Sequence, residues 1–150
     1  MAASCGDGLP DRYVMTSFVH QVRPRYAEVD QQGVVFNAHW LTYFDDACTR
    51  FFESLGYTPK EAFFETFDFM IVKAVLEWGG PAGFDEPIDI AVAPIRLGRS
   101  SFDLQYRASV GQRAACTGVI TYVSVTPSTH TSAPIPAELR GRLDGLVAGA

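Results

Sequence analysis

Hydrophobic residues from Trp40 to Leu55 recur at three- and four-residue spacing, which is the pattern of one long amphipathic helix. Asn37 belongs to the residue types that cap helix starts, and Gly56 is the type expected just past a helix end. The helix is therefore predicted to begin after Asn37, to end before Gly56 and to bury a wide apolar face. The residues of that face are Trp40, Leu41, Phe44, Ala47, Cys48, Phe51, Phe52 and Leu55.

Runs of alternating or continuous hydrophobic residues in the rest of the chain predict strands. One strand precedes the long helix and four follow it. Their predicted ranges are 17–27, 69–78, 88–96, 101–109 and 115–125. The last three succeed one another at hairpin spacing, so they are expected to be antiparallel neighbours.

Two shorter helices complete the predicted elements. A capping box at 58–61 predicts a short helix that continues to about Phe67, and 136–146 predicts a terminal helix weakened by two glycines. One long helix with a strand before it and four strands after it fits an α+β domain. In such a domain a curved antiparallel sheet wraps around one long central helix.

The length of 150 residues, of which 47% are hydrophobic, is enough for one domain with a real core. That domain is predicted over 17–146. Residues 1–16 lack the basic start and long apolar stretch of a secretory signal and are expected to form a flexible N-terminal tail. No segment approaches the roughly 20 apolar residues of a membrane span.

Charge and cysteine content narrow the function classes. The net charge of -5 argues against nucleic-acid binding, for which a basic stripe is expected. A polyanionic ligand would instead need a local arginine cluster. Cys5, Cys48 and Cys116 are too few and too scattered for a disulfide scaffold or a metal site. Cys48 and Cys116 are expected to be buried thiols of a reducing compartment, so the prediction is a cytoplasmic protein without a metal or redox cofactor.

The segment before the long helix carries the candidate chemistry. Asp30 opens the sequence Asp-Gln-Gln-Gly, in which Gly33 can adopt a turn conformation that other residues resist. The helix start has unpaired backbone N–H groups, so the N–H of Asn37 could stabilise an oxyanion while the Asp30 carboxylate faces it. Tyr26, four residues before Asp30, is a supporting candidate that would orient it or line the site. A carboxylate and an oxyanion donor on one short segment indicate acyl chemistry.

These residues resemble a known family. The pattern Asp30-x-x-Gly33-Val34-Val35-Phe36, followed by Asn37-x-x-Trp40 and a helix, is similar to the 4-hydroxybenzoyl-CoA thioesterase family of hotdog-fold proteins. It is close to that family's branch of short-chain acyl-CoA thioesterases. Leu-Gly-Arg-Ser-Ser-Phe at 97–102 and Pro-Ile-Pro at 134–136 also resemble elements of that branch. The resemblance covers roughly 18–143.

The resemblance implies a hotdog fold and a homodimer whose sheets join edge to edge, with two active sites at the subunit boundary. A homotetramer is a common further assembly in this family. Relatives often carry histidine or tyrosine at the position of Asn37, so only its backbone N–H is given a role. The candidate CoA-binding residues are Arg99, Ser100 and Ser101, because a guanidinium and backbone N–H groups between two predicted strands could meet a phosphate. The alternative for these residues is an ordinary polar hairpin. The acyl-pocket candidates are Phe36, Trp40, Phe69, Met70 and Ile71.

Other polar residues receive less specific interpretations. Asp45 and Asp46 lie on the long helix, where another group of hotdog thioesterases carries its catalytic acid. Here they are interpreted as a polar helix face or a subunit contact. His20 and His130 have no acidic residue or cysteine at ligand spacing in the sequence, so they are interpreted as incidental.

The resulting hypothesis is an acyl-CoA thioesterase that hydrolyses a thioester to a carboxylic acid and free CoA. Asp30 would act as a general base or as a nucleophile, and the sequence does not choose between them. The sequence also does not decide which acyl chain is hydrolysed, or whether the carrier is CoA or acyl carrier protein. The alternatives are a hotdog dehydratase or hydratase, and a non-catalytic module that binds acyl-CoA or acyl carrier protein.

Overall fold

Five antiparallel strands and two helices make up the part of the chain that the computed structural model describes, residues 18–58 and 67–147. A 3₁₀ turn, Tyr26–Glu28, lies between the first strand and the first helix. In chain order the elements are β1 (Phe18–Val22), α1 (His39–Ser54), β2 (Asp68–Trp78), β3 (Ile88–Leu97), β4 (Ser101–Val110), β5 (Arg113–Val125) and α2 (Ala137–Asp144).

The strands form one sheet in the order β1-β3-β4-β5-β2, and every neighbouring pair is antiparallel. Val22 pairs with Ile88, and β2 finishes at the same end of the sheet with Trp78. We call this the Asp30 end, because the segment between β1 and α1 lies there. The opposite end carries the connection between β3 and β4, residues 98–100, and we call it the hairpin end.

The core lies between α1 and one face of the sheet. The buried residues of α1 recur at three- and four-residue spacing, and they are Trp40, Tyr43, Phe44, Ala47, Cys48, Phe51 and Phe52. Phe44 stacks on Tyr106 of β4 with a 4.9 Å distance between ring centres, and Phe52 stacks on Phe69 of β2 at 5.0 Å. The predicted α+β fold, a curved antiparallel sheet around one long helix, is thus confirmed.

Two details of the predicted helix were wrong. Leu41, which was assigned to the apolar face, is exposed, and Tyr43, which was not, is buried. The helix cap is Ala38, which has no side-chain capping bond, and not Asn37. The end of the helix is as expected, since Gly56 has a φ of +95° just past it.

The first strand is shorter than predicted. Within 18–27, the described part of the predicted range, only Phe18–Val22 pairs with β3. The chain then leaves the sheet through Pro24, which has no N–H to donate to a strand ladder, and turns at Tyr26–Glu28. The predicted terminal helix is present as α2. The predicted tail over 1–16 and the body of the predicted short helix, 59–66, lie outside the described residues.

β2 is an edge strand with unusually exposed apolar side chains. Its exposed large hydrophobic residues are Met70, Ile71, Val72, Val75 and Trp78. An unpaired strand edge of this kind invites pairing with another chain. Neither helix of the described part of the chain is long and apolar enough to cross a membrane.

We expect Gly118→Ala to lower the free energy of unfolding by about 1–3 kcal/mol, the usual effect of overpacking a core. A Cβ at Gly118 would lie 2.7 Å from Cε2 of Phe44, and that ring is fully buried and stacked on Tyr106. Chemical denaturation measures the change. Gly141→Ala is the matched control, since its Cβ would meet no atom within 4 Å and should stabilise α2 slightly. Equal stability of the two variants would contradict the proposed clash.

Candidate active site

Asp30 lies at the tip of a narrow two-stranded ribbon. Val29 and Val35 face each other across this ribbon as an antiparallel bridge, and the Asp30 N–H donates to the Val34 carbonyl oxygen at 2.8 Å. The Gly33 N–H closes the turn onto the Asp30 carbonyl oxygen at 2.9 Å, with a φ of +79° that favours glycine. The turn read from the sequence is therefore present, with its glycine in the expected conformation.

The Asp30 carboxylate is half-buried and held in place by its own turn. Its Oδ1 accepts the Gln32 backbone N–H at 2.8 Å, whereas Oδ2 has no hydrogen bond within the described residues. One oxygen is thus fixed and the other is available to a water molecule or substrate. Asp30 lines a cavity of about 500 Å³. The lining residues are Tyr26, Val29, Asp30, Gln31, Gly33 and Phe84.

The ribbon is attached to the loop between β2 and β3. The Val35 N–H donates to the Ala82 carbonyl oxygen at 2.8 Å, and Val34 forms a bridge with Gly83. These contacts join residues about fifty positions apart in the chain. They fix the Asp30 turn at one end of the sheet and bring the 79–87 loop beside it.

The start of α1 leaves two backbone donors open. The His39 N–H donates to the Phe36 carbonyl oxygen at 2.9 Å, so the chain makes a turn before the helix begins. The N–H groups of Asn37 and Ala38 have no acceptor within 18–58 and 67–147. Although the capping prediction for the Asn37 side chain was wrong, its backbone N–H is unoccupied. The oxyanion role stays a prediction.

A buried carboxylate that no sequence motif marks supports the ribbon. Glu28 is only 6% exposed, and its Oε1 accepts the Arg25 backbone N–H at 2.8 Å while Oε2 pairs with Arg25 Nη2 at 3.1 Å. Its carbonyl oxygen accepts the Phe36 N–H at 3.0 Å. Glu28 therefore joins the strand that leads into Asp30 to the strand that leads into Asn37.

The hydrogen bond from the Arg25 side chain lowers the pKa of Glu28 below its ordinary value. The Tyr43 hydroxyl on α1 is buried close to the same carboxylate, with no hydrogen bond of ordinary geometry in the described part of the chain. Burial, and then the negative charge of Glu28, raise the pKa of Tyr43. Glu28 is consequently ionised and Tyr43 neutral at physiological pH.

A second cavity, of about 330 Å³, is lined by the ribbon, the start of α1 and the loop after β2. It is mainly apolar, and its lining residues are Val34, Val35, Trp40, Trp78, Gly79, Gly80, Pro81 and Ala82. Trp40, predicted for the acyl pocket, is among them. Trp78 was missed by the sequence reasoning because it reads as the last residue of an ordinary apolar strand.

The other residues predicted for the acyl pocket do not meet Asp30 within one chain. Phe36 is exposed and packs edge-on against His39. Phe69 belongs to the core, where it stacks on Phe52. Met70 and Ile71 are exposed on β2 near the hairpin end, far along the strand from Trp78.

The residues predicted to bind CoA also lie at the hairpin end. The ten residues of β3 separate them from the Asp30 end, a span of about 30 Å at strand spacing. Arg99 is exposed, and its guanidinium has no hydrogen bond or ion pair with any described residue. Ser101 Oγ accepts a hydrogen bond from Arg96 Nη2 at 3.0 Å, and the Ser100 carbonyl oxygen accepts the Ser124 N–H at 2.7 Å. Arg99 is therefore the most available of the three predicted side chains.

The acidic residues of α1 have identifiable surroundings. Asp46 pairs with His20 of β1 at 2.7 Å and with Arg50 at 3.5 Å, so it ties the helix to the edge of the sheet. His20 is therefore not incidental, because folding brings it to a carboxylate that sequence spacing did not reveal. Burial, and then the neighbouring Asp46, raise the pKa of Asp45. In 18–58 and 67–147, no three His, Cys, Asp or Glu side chains lie together as a metal site.

A long helix held in a curved five-stranded antiparallel sheet, with a carboxylate turn beside the helix start, defines a hotdog-fold protein. The family model described as the thioesterase-like superfamily matches residues 24–143. The chain belongs to this superfamily, and it is a thioester hydrolase. The resemblance to the hotdog thioesterases stated from the sequence is thereby confirmed.

Individual relatives agree with this assignment. The chain is 23% identical over 124 residues to a 1,4-dihydroxy-2-naphthoyl-CoA hydrolase of Nostoc punctiforme, covering 82% of this chain and 84% of the relative. It is 25% identical to a gentisyl-coenzyme A thioesterase of known structure, with a TM-score of 0.76 over 82% of this chain and 99% of that one. A thioesterase-superfamily structure from Jannaschia sp. CCS1, 18% identical, shares the fold with a TM-score of 0.84 over 93% and 96% of the two chains.

We expect Glu28→Gln to reduce the loss of unfolding free energy that acid pH causes. Because the pKa of Glu28 is lowered in the folded state, the unfolded chain binds the proton first as the pH falls. The stability that its charge contributes is therefore complete above the ordinary carboxyl pKa of 4.5 and is lost below it. Urea denaturation between pH 7 and pH 3 should show a variant that is less stable at pH 7 and less sensitive to acid.

Glu53→Gln is the control for this measurement. It removes a glutamate that also pairs with an arginine, Arg50 at 2.7 Å, but that is far more exposed to solvent. This variant should follow the parent at every pH. If Glu28→Gln does the same, the buried carboxylate does not hold the ribbon.

Proposed function

We propose that this protein hydrolyses an acyl-CoA thioester to a carboxylic acid and free CoA, with Asp30 as the group that activates the attacking oxygen. The observation that carries the proposal is the Asp30 carboxylate itself. One of its oxygens is fixed by the Gln32 N–H, the other is open, and Asp30 lines a cavity. The hydrogen-bonded ribbon joins Asp30 to a helix start with two unoccupied N–H groups. We favour CoA over acyl carrier protein as the carrier, because two relatives are named for CoA thioesters.

In the general-base route Asp30 takes a proton from water, whose oxygen bonds to the thioester carbonyl carbon. The carbonyl oxygen gains negative charge and accepts the Asn37 N–H. The C–S bond then breaks and the CoA sulfur leaves with the proton that Asp30 carries. In the nucleophilic route the Asp30 oxygen bonds to the carbonyl carbon first, CoA leaves, and water hydrolyses the resulting anhydride. Each well-placed oxyanion donor contributes on the order of 3 kcal/mol to transition-state stabilisation.

A homodimer through β2 is part of this proposal. The edge of β2 carries exposed apolar residues and unpaired backbone groups, which pairing with a second β2 would cover. Two identical strands related by a two-fold axis pair antiparallel. A register centred on Val75 would oppose Lys73 to Glu77 of the partner subunit, and the reverse pair would form by symmetry.

This arrangement would unite the residues that one chain keeps apart. Antiparallel pairing of two β2 strands sets the hairpin end of each subunit beside the Asp30 end of its partner. Met70 and Ile71 would then approach the partner's apolar cavity, and Arg99 would approach the CoA that is bound at the partner's Asp30. The site is thus proposed to be composite. A cytoplasmic location is also proposed, and Cys48 and Cys116, both buried free thiols, are compatible with it.

Asp30→Asn should keep the fold and lower kcat by about 100-fold or more, the range expected for loss of a general base. The amide has the same shape but cannot take a proton or attack a carbonyl carbon. Thiol release from a panel of acyl-CoA thioesters measures the loss. Asp45→Asn and Asp46→Asn are controls in the same assay, with the fold checked by circular dichroism. Unchanged turnover in Asp30→Asn, or the large loss in a helix variant instead, would move the catalysis to α1.

Arg99→Ala should raise KM for acyl-CoA by about 3- to 10-fold and leave kcat nearly unchanged, as loss of one exposed charged contact would do. Added salt should also raise the KM of the parent enzyme for acyl-CoA. An acyl-pantetheine thioester, which carries no nucleotide, is the control substrate and should not distinguish variant from parent. An equal loss on that substrate would show that Arg99 does not contact the phosphates.

Mixed dimers of Asp30→Asn and Arg99→Ala test whether the contact crosses the subunit boundary. If it does, each mixed dimer has one intact site and one doubly altered site. Part of the activity of the mixture should then show the KM of the parent enzyme. If both residues serve the same chain's site, no mixed dimer has an intact site and the parent KM does not return. Sedimentation at micromolar concentration must first show dimers, since a monomer that keeps the parent KM would exclude a composite site.

A further inference from the structure

Two large aromatic side chains stand exposed at the mouth of the Asp30 cavity. Tyr26 is 82% exposed and Phe84 is 58% exposed, and their rings meet edge to face with 6.2 Å between centres. Both line the same cavity as Asp30. We infer that Tyr26 and Phe84 form a wall that binds a planar aromatic acyl group and so determine acyl specificity, an inference that rests on the proposed function.

The backbone that presents Phe84 is fixed on both sides. Gly83, directly before it, bridges to Val34 of the ribbon. Asp85, directly after it, donates its N–H to the Pro24 carbonyl oxygen at 3.0 Å, and its own carbonyl oxygen accepts Arg23 Nη1 at 2.9 Å. Phe84 is therefore held against the segment that leads into Tyr26.

Asp85 also adopts a φ of +58°, a conformation that is costly for most residues and least so for aspartate and asparagine. Such strain persists where the surrounding contacts enforce it, and it is often found at ligand sites. Because the backbone on both sides of Phe84 is held by these contacts, ligand binding costs little further backbone entropy there.

The dimensions and chemistry of the cavity favour a ring as occupant. Its volume of about 500 Å³ lies within the usual range for small-molecule sites. Aromatic rings gain an attraction from edge-to-face and offset stacking that aliphatic chains lack. The adenine of CoA is also planar, but the pantetheine arm separates it from the thioester. A group beside Asp30 is therefore the acyl group.

The test compares benzoyl-CoA with hexanoyl-CoA in Phe84→Leu. This variant should lose about 3- to 10-fold in kcat/KM for benzoyl-CoA and less than about twofold for hexanoyl-CoA, as the loss of one ring contact predicts. Phe84→Tyr keeps the ring and should retain the preference. Equal losses on both substrates would overturn the aromatic wall while leaving the thioesterase proposal intact.

Binding measurements separate the inference from the proposed chemistry. Calorimetry on Asp30→Asn with benzoyl-CoA and benzoyl-pantetheine should show weaker binding of both when Phe84→Leu is added. That result would support the wall even if no thioester proved to be hydrolysed. Weakening confined to benzoyl-CoA would assign the wall to adenine and overturn the inference. Dissociation of the dimer by Phe84→Leu would make the pair a subunit contact and overturn it as well.

Discussion

The position of α1 on the sheet depends on the close approach of the Phe44 ring to the backbone of Gly118. A Cβ on Gly118 would come within 2.7 Å of that ring, so the two elements can be this near only because β5 has a glycine there. The ring is fully buried and stacks on Tyr106, which fixes it from a second side. With the helix held at this point, its start is fixed at the Asp30 end. The open N–H groups of Asn37 and Ala38 follow from that placement.

A second constraint acts on the segment that leads into the helix. Burying the Glu28 charge is unfavourable unless it is paired, and Arg25 satisfies it through both its backbone and its side chain. The Glu28 carbonyl oxygen then holds Phe36 alongside. The distance along the chain from Asp30 to the helix start is thus spanned by a hydrogen-bonded ribbon, not by a free loop. A ribbon can keep a carboxylate and a backbone donor in a constant relation to one substrate.

Local patterns predicted what local physics decides. The face of α1 follows from 3.6-residue spacing, and the Asp30 turn follows from Gly33, whose conformation few other residues tolerate. The errors occurred where two local signals compete. The first strand ends early because Pro24 leaves the ladder, although the hydrophobic pattern continues to Tyr26. Asn37 fails as a cap because Phe36 and His39 close a turn ahead of the helix.

In the candidate site, sequence reasoning found the residues of one short segment and missed those that only folding brings together. Asp30 and the helix start were accessible to sequence reasoning because they share one short segment. Glu28 gave no signal, since burial of a charged residue beside a turn cannot be read from its neighbours in the sequence. Phe84 and Trp78 join the site only through the contacts of Ala82 and Gly83 with the ribbon, and those contacts exist only in the folded chain.

Asp30 and Arg99 lie at opposite ends of β3, so activity would depend on assembly of the dimer. In the proposed dimer one subunit supplies the Asp30 carboxylate, the helix start and the cavities. The other subunit supplies Arg99. Dissociation would then leave the acid chemistry in place but remove the cation for the CoA phosphates, so it would weaken substrate binding before it affected the bond-breaking step. A protein of net charge -5 attracts a polyanion only through such a local cation. Assembly would therefore control the affinity of this enzyme for CoA, and the geometry at Asp30 would control its chemistry.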